Sequence, residues 1–332
     1  MNWGMLGHEW AVEMLKTHLS GGGLRHAYLL TGAPGIGRRT LALRFVQALN
    51  CPEPLAPGEP CLACKTCKQI ERMQYADLSV VQAEQEGKDI KIDQVRDLQH
   101  NLSLAPFASK YRAALLLGFH NANANAQNAM LKTLEEAPTR VILVATSDSL
   151  EGLLPTIVSR CEVLRLRPLP TGQITRYLEE TRRLDHERAN VLAHLAEGRP
   201  GAALRLAEHP EEYDRRQALL EQVPILVAAS YRARFAYVET LTRDRDRARE
   251  RLRKALAVWL SFWRDVLLCN SGAETPLVNL TAADALQRIA SQVSLESICQ
   301  IAGSIEKGID QLDDNANPRL LAEVLLLDWP RL

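Results

Sequence analysis

The sequence predicts an α/β domain built on a parallel sheet, followed by a long all-helical remainder. Short apolar runs alternate with amphipathic segments through the first half of the chain. A glycine loop joins the first of those runs to a helical pattern, and beyond residue 167 no strand-like run recurs. At 332 residues, with aromatics at 5% and Leu and Ala frequent, the chain has room for two or three helix-rich domains.

Each element has its own signal. HEWAVEMLKTHL (8–19) spaces its apolar residues for a helix and stops at SGGG. HAYLLTG (26–32) is a short apolar strand that enters the glycine loop, and RRTLALRFVQALN (38–50) continues as an amphipathic helix. Further strands are DLSVVQA (77–83), YRAALLLG (111–118) and TRVILVAT (139–146), with helical patterns at IDQVRDLQHNL (92–102) and NAQNAMLKTLEE (125–136). Apolar strands alternating with helices belong in a parallel sheet covered on both faces. RPLPTG breaks the pattern, which ends the first domain at 1–167. Helices separated by EGRPGAA and EHPEEY then give a small helical domain over 168–208 and a larger one over 209–332. TRDRDRARERLRK (242–254) reads as a solvated helix face, because its acids cancel its bases. ALAVWLSFWRDVLL (255–268) is apolar nearly all round and reads as a buried helix, with Trp259 and Trp263 in the core.

Charge and composition exclude several classes. Lys plus Arg and Asp plus Glu are 40 each, so the net charge is zero. A protein that grips nucleic acid alone is usually basic, so an independent DNA-binding zinc protein is disfavoured and any DNA contact is expected to be shared with partners. The N-terminus carries no signal-peptide pattern and no run is long and apolar enough for a membrane span, which predicts a cytoplasmic protein without a membrane partner. Four of the seven cysteines cluster, a pattern that suits metal binding in a reducing compartment.

The glycine loop LLTGAPGIGRRT (29–40) raises the functional question. Gly32, Gly35 and Gly37 match the spacing of a phosphate-binding P-loop between a strand and a helix, where backbone N–H groups converge on an anion. Arg38 then stands where a lysine would reach the β- and γ-phosphates, and Arg39 where a hydroxyl would bind Mg2+. A guanidinium has no lone pair for a metal, and Thr40 comes one residue late. The strand YRAALLLG should end in an acidic pair if it served Mg2+, but Leu117 and Gly118 stand there, with His120 the nearby titratable group. Hydrolysis by this loop is not expected; nucleotide binding, weak or absent, stays open. The alternative is an active ATPase that uses Arg38 and Thr40 irregularly.

CPEPLAPGEPCLACKTC (51–67) supplies Cys51, Cys61, Cys64 and Cys67. Repeated two-residue gaps bring thiolates onto one tetrahedral ion, which predicts a structural Zn2+ site. An iron–sulfur reading would require a fourth cysteine followed by proline, whereas KQIE follows Cys67. Cys161, Cys269 and Cys299 stand apart and read as small buried residues.

Several segments together resemble one family: HAYLLTGAPGIGRRTLA, the four-cysteine knuckle behind the P-loop helix, IKIDQVRDLQHNLSLAP, NAMLKTLEEAP, LLPTIVSRCEVLRLRPL, EGRPGAAL and NPRLLAEVLLL. They are similar to the delta-prime subunits of bacterial DNA polymerase III clamp loaders, within the AAA+ superfamily. The motor tau/gamma subunits share the knuckle and LKTLEE, but should carry an intact Lys-Thr and an acidic Walker B, from which this sequence departs. The resemblance implies an AAA+ P-loop domain with a zinc knuckle, a helical lid and a helical collar for oligomerisation. It implies a hetero-pentamer with tau/gamma and delta that opens the sliding clamp and places it on primer–template DNA. It also gives Arg160, in Ser159-Arg160-Cys161, the role of an arginine finger reaching a neighbour's ATP. Arg199 falls in the loop where AAA+ proteins often place a nucleotide-sensing arginine, although Pro200 and Gly201 after it fit a plain helix-linking turn equally well.

Overall fold

The computed structural model describes residues 2–85, 88–136 and 138–332; Met1, Glu86, Gly87 and Ala137, the last within NAMLKTLEEAP, lie outside the described residues. The chain divides into two compact units. One runs to Pro170 and takes back Gly198–Ala202; the other holds Thr171–Glu197 and Ala203–Leu332.

The first unit carries helix α1 (Glu9–Ser20), strand β1 (Ala27–Thr31), α2 (Arg38–Asn50), α3 (Lys65–Glu71), β2 (Leu78–Val81), α4 (Ile92–Ser103), β3 (Arg112–Leu116), α5 (Ala124–Glu135), β4 (Val141–Ser147), the short α6 (Pro155–Val158) and β5 (Glu162–Arg165). Their sheet is parallel in the order β2-β3-β4-β1-β5. Every residue of β1, β3 and β4 is buried, which only a sheet covered on both faces allows. Leu30, Leu115 and Val144 pack on one face with Phe45 and Val46 of α2; Leu29, Leu116 and Leu143 pack on the other with Leu98 of α4 and Met130 of α5. The strand β5 was not signalled by apolar runs. It is a four-residue edge strand with Glu162 and Arg165 at its ends, and only Leu164 fully buried, so its sequence lacks the continuous apolar signature.

Asp77, just before β2, is the main buried acid of this unit. Its carboxylate accepts the N–H groups of Phe107, Ala108 and Ser109 at 2.7, 2.8 and 2.9 Å and pairs with Arg112 Nη2 at 3.3 Å. It thereby ties the segment after α4 to the start of the sheet.

The second unit is helical throughout: α7 (Thr171–Arg182), α8 (His186–Leu195), most of α9 (Pro200–Glu208), α10 (Pro210–Ala228), α11 (Tyr231–Thr242), α12 (Ala248–Ser271), α13 (Ala283–Ala290), α14 (Leu295–Asp313) and α15 (Pro318–Leu327). Caps fit their positions: Asp185, Ser230, Ser294 and Asn317 each accept a backbone N–H of the first turn. The core gathers around α12, where Trp259 and Trp263 are fully buried and meet Trp329 edge-on at 5.2 and 5.5 Å. The charged stretch before them is partly helical, from Ala248, and its arginines pair with Asp244 and Asp313. Among the isolated cysteines Cys299 is exposed, contrary to expectation: it faces solvent on amphipathic α14, whose buried stripe is Ile298, Ile301 and Ile305.

Candidate functional site

The register of the sheet places three loops side by side. Thr31 pairs with Ser147, and Leu116 with Ala145, so β1, β3 and β4 end at one edge, where ligands of open α/β sheets bind. The glycine loop leaves β1 there and enters α2 at Gly37. Its conformation demands glycine: a Cβ on Gly32 (φ 146°) would lie 2.6 Å from the Leu166 carbonyl oxygen, and Gly35 has φ 82°. Two contacts hold the loop from behind. Buried His8 Nε2 donates to the Ile36 carbonyl at 3.0 Å, and the Gly201 N–H donates to the Gly35 carbonyl at 2.8 Å. A Cβ on Gly201 would meet that Gly35 oxygen at 2.9 Å, so the start of α9 lies against the loop with no room for a side chain.

In front of the loop is a cleft of about 430 Å³, lined among others by Arg38, Thr40, Leu117, Gly118, Asn121 and Thr146. Among the described residues its lining offers no carboxylate to a hard cation. Arg38 turns to Asp148, the first acid after β4, with Nη1 2.6 Å from Oδ1 and the arginine side chain 12% exposed. Arg39 points elsewhere, to Met73 Sδ at 3.8 Å. Leu117 and Gly118 occupy the end of β3, and the Gly118 N–H donates to Thr146 Oγ1 at 2.8 Å. His120 accepts the Asp148 N–H on Nδ1 at 3.2 Å, which leaves the ring proton on Nε2, 3.7 Å from Asp148 Oδ2. Sequence reasoning passed over Asp148; its signal was a lone acid directly after an apolar strand at the ligand edge.

The cysteine module packs against α2. The Sγ atoms of Cys51, Cys61, Cys64 and Cys67 all lie within 4.8 Å of one another, with Cys51 and Cys61 3.5 Å apart. A tetrahedron with Zn–S bonds of about 2.3 Å has edges of about 3.8 Å, so the four sulfurs are placed for a single ion. Backbone N–H groups face the sulfurs as well, Cys64 N to Cys61 Sγ at 3.3 Å and Cys67 N to Cys64 Sγ at 3.4 Å. Such donors, at Cys64 and Ala63, hold the Cys61 thiol down to about 7, whereas burial pushes Cys51 and Cys67 up. Buried Gln47 of α2 donates to the Cys67 carbonyl at 2.8 Å, and Trp3 Nε1 to the Gly58 carbonyl at 2.9 Å. The knuckle is thus anchored to the helix that begins at the phosphate loop.

Arg160 follows α6. Its Nη1 donates to the Thr156 carbonyl at 2.9 Å and its Nη2 lies 2.6 Å from Glu135 Oε1, the pair being 34% and 50% exposed. It is not part of the cleft lining. Neighbouring Cys161 is shielded, and burial pushes its thiol up to about 11. Arg199 sits in the turn before α9, where its carbonyl accepts the Ala202 N–H at 3.0 Å. Glu135 was also not singled out by sequence; it lies within LKTLEE, where pairing across 25 residues leaves no local pattern.

Comparison with known proteins follows the same two halves. The profile of a family described as "DNA polymerase III, delta subunit" matches residues 7–170, and that of "DNA polymerase III, delta subunit, C terminal" matches residues 210–331. The delta-prime subunit of Bacillus subtilis is 28% identical over 316 residues, 95% of this chain and 94% of that one. The chain belongs to the delta-prime family of DNA polymerase III subunits. The delta-prime subunit of Pseudomonas aeruginosa is 40% identical over 145 residues, 44% of each chain. The tau subunit of Escherichia coli is 34% identical over 210 residues, 61% of this chain but 32% of tau, so this delta-prime homologue spans about a third of that relative. A DNA polymerase III gamma subunit-related protein from Thermotoga maritima superposes with a TM-score of 0.47 at 15% identity, over 95% of this chain and 97% of that one. Among the described residues no helix is long and apolar enough to cross a membrane.

Proposed function

We propose that this delta-prime homologue is a non-hydrolysing subunit of a cytoplasmic clamp-loader complex that lends Arg160 to the ATP site of a neighbouring motor subunit. One observation carries the reading. The phosphate loop keeps its backbone cradle, yet its cation is paired to Asp148 and no carboxylate stands at the end of β3. Among the described residues the cleft lining offers ATP with Mg2+ no carboxylate to hold the metal or aim a water, and Asp148 is taken up by Arg38. Nucleotide binding at Gly32, Gly35, Gly37, Arg38 and Thr40 is weak at most. Arg160, in contrast, is partly exposed just after a short helix, held by the Thr156 carbonyl and by a pair with Glu135 that solvent screens and that exchanges at low cost.

In this reading residues 1–167 form the AAA+ domain, 168–208 the lid and 209–332 the collar. The partners are tau/gamma and delta subunits in a hetero-pentamer, with the sliding clamp and primer–template DNA engaged through the assembly. Cys51, Cys61, Cys64 and Cys67 hold a structural Zn2+, which closes the knuckle and supplies no chemistry. Arg160 stabilises negative charge developing on the neighbour's γ-phosphoryl group. The test is ATP hydrolysis by the purified chain, expected to be absent, together with DNA-dependent hydrolysis by the complex rebuilt with Arg160→Ala, expected to fall. Robust turnover by the chain alone refutes the proposal.

A further inference from the structure

The phosphate loop retains everything an anion needs from the backbone: glycines at positive φ, the start of α2 and an open cleft of about 430 Å³. What it withholds is charge. The Arg38 guanidinium, mostly buried, is committed to Asp148 at 2.6 Å. His120 steadies Asp148 through its Nδ1 contact to the Asp148 N–H at 3.2 Å. A phosphate entering the cleft therefore meets a guanidinium already paired to Asp148, whose carboxylate lies outside the lining but within 2.6 Å of Arg38. Among the described residues the lining gives Mg2+ no carboxylate that would hold it beside that phosphate.

We propose that Asp148 determines what this loop binds: its carboxylate is the built-in counter-ion of Arg38 and keeps phosphate-bearing anions out. Removing that one charge turns the loop into a nucleotide site that works without Mg2+, with Arg38 as the phosphate ligand. The ligand class is a nucleoside triphosphate or pyrophosphate in its metal-free form. A guanidinium needs no metal bridge to bind phosphate oxygens, and metal complexation removes part of the negative charge it would grip. The inference rests on the reading of the loop as non-hydrolysing, but the two fail separately.

The experiment is calorimetric titration of the full-length, zinc-replete chain with ATP and with inorganic pyrophosphate, in Mg2+ and in magnesium-free buffer without chelator. Asp148→Asn is expected to bind both at least tenfold more tightly than wild type, and at least as tightly without Mg2+ as with it. Asp148→Ser serves as a second variant with the same expectation, and thermal unfolding followed by circular dichroism confirms that each variant is folded. Arg38→Ala combined with Asp148→Asn is expected to lose the gain. A gain below tenfold, a gain that requires Mg2+, or a gain that survives the double substitution overturns the proposal. ATP turnover by the wild-type chain would instead overturn the non-hydrolysing reading, while leaving the binding comparison to stand or fall on its own.

Discussion

Arg160→Ala separates an arginine that serves a partner from one that serves its own fold. Within the chain its contacts are a 2.6 Å pair with Glu135 and a 2.9 Å donation to the Thr156 carbonyl. Both side chains of the pair are more than one-third exposed, so solvent screens it and its worth is about 0–1 kcal/mol. For a unit of this size such a loss moves the melting temperature by about 2–4 °C at most. Across an interface the same guanidinium would face developing phosphoryl charge in a site from which water is largely excluded, where a trans arginine is worth roughly 10³-fold in rate or more. The rebuilt complex with Arg160→Ala should therefore assemble normally, melt almost as wild type, and lose at least the turnover of the one site this chain faces. Arg160→Lys keeps the charge but not the planar fork, and should restore only a small part. The assay pairs thermal unfolding of the isolated chain with DNA-stimulated phosphate release by the complex. A large drop in melting temperature, or undiminished phosphate release from an intact complex, refutes the reasoning.

Asp77→Ala should destabilise the α/β unit by about 3–5 kcal/mol in urea unfolding, because it strands three backbone N–H groups and a buried arginine, and Asp77→Asn should cost less. Burial alone would push the Asp77 carboxyl up, but the N–H donors at Phe107, Ala108 and Ser109 win and lower it. Its contribution is therefore present above the ordinary aspartate range, near 3.9, and is lost as pH falls through the depressed folded value; a wild-type chain whose acid unfolding matches that of Asp77→Asn contradicts this. The purified chain should carry one zinc per molecule by elemental analysis, and Cys61→Ser should abolish it while leaving the tryptophan-centred helical unit folded by near-ultraviolet circular dichroism. Metal retained at full stoichiometry by Cys61→Ser counts against a four-thiolate site.

How much of this was legible in sequence depended on how local each signal was. The strands β1, β3 and β4 announce themselves as apolar runs because both of their faces are covered. The cysteine module is equally plain, since its ligands lie within one seventeen-residue stretch whose two-residue gaps carry the geometry. The edge strand β5 is not, because only Leu164 is fully buried and its ends are charged. The phosphate loop could be read as altered but not as internally neutralised: Arg38 and Asp148 are brought together only when β1 and β4 end at the same edge of the sheet.

That difference bears on mechanism. The loss of a lysine and of two acids, read from the sequence, describes a site that has become inert by deletion. The folded chain adds two positive contacts, a carboxylate set against the arginine and the Gly201 N–H bonded to the Gly35 carbonyl. A cradle that had merely lost its ligand-handling groups would be expected to loosen, since loop glycines carry the largest conformational entropy. Here the loop is held instead by His8 in front of α1 and by the start of α9, and the helix it opens is tied through Gln47 to the cysteine module. Rigidity at that edge is what a subunit needs if its task is to hold a shape against a moving neighbour rather than to close on a nucleotide of its own.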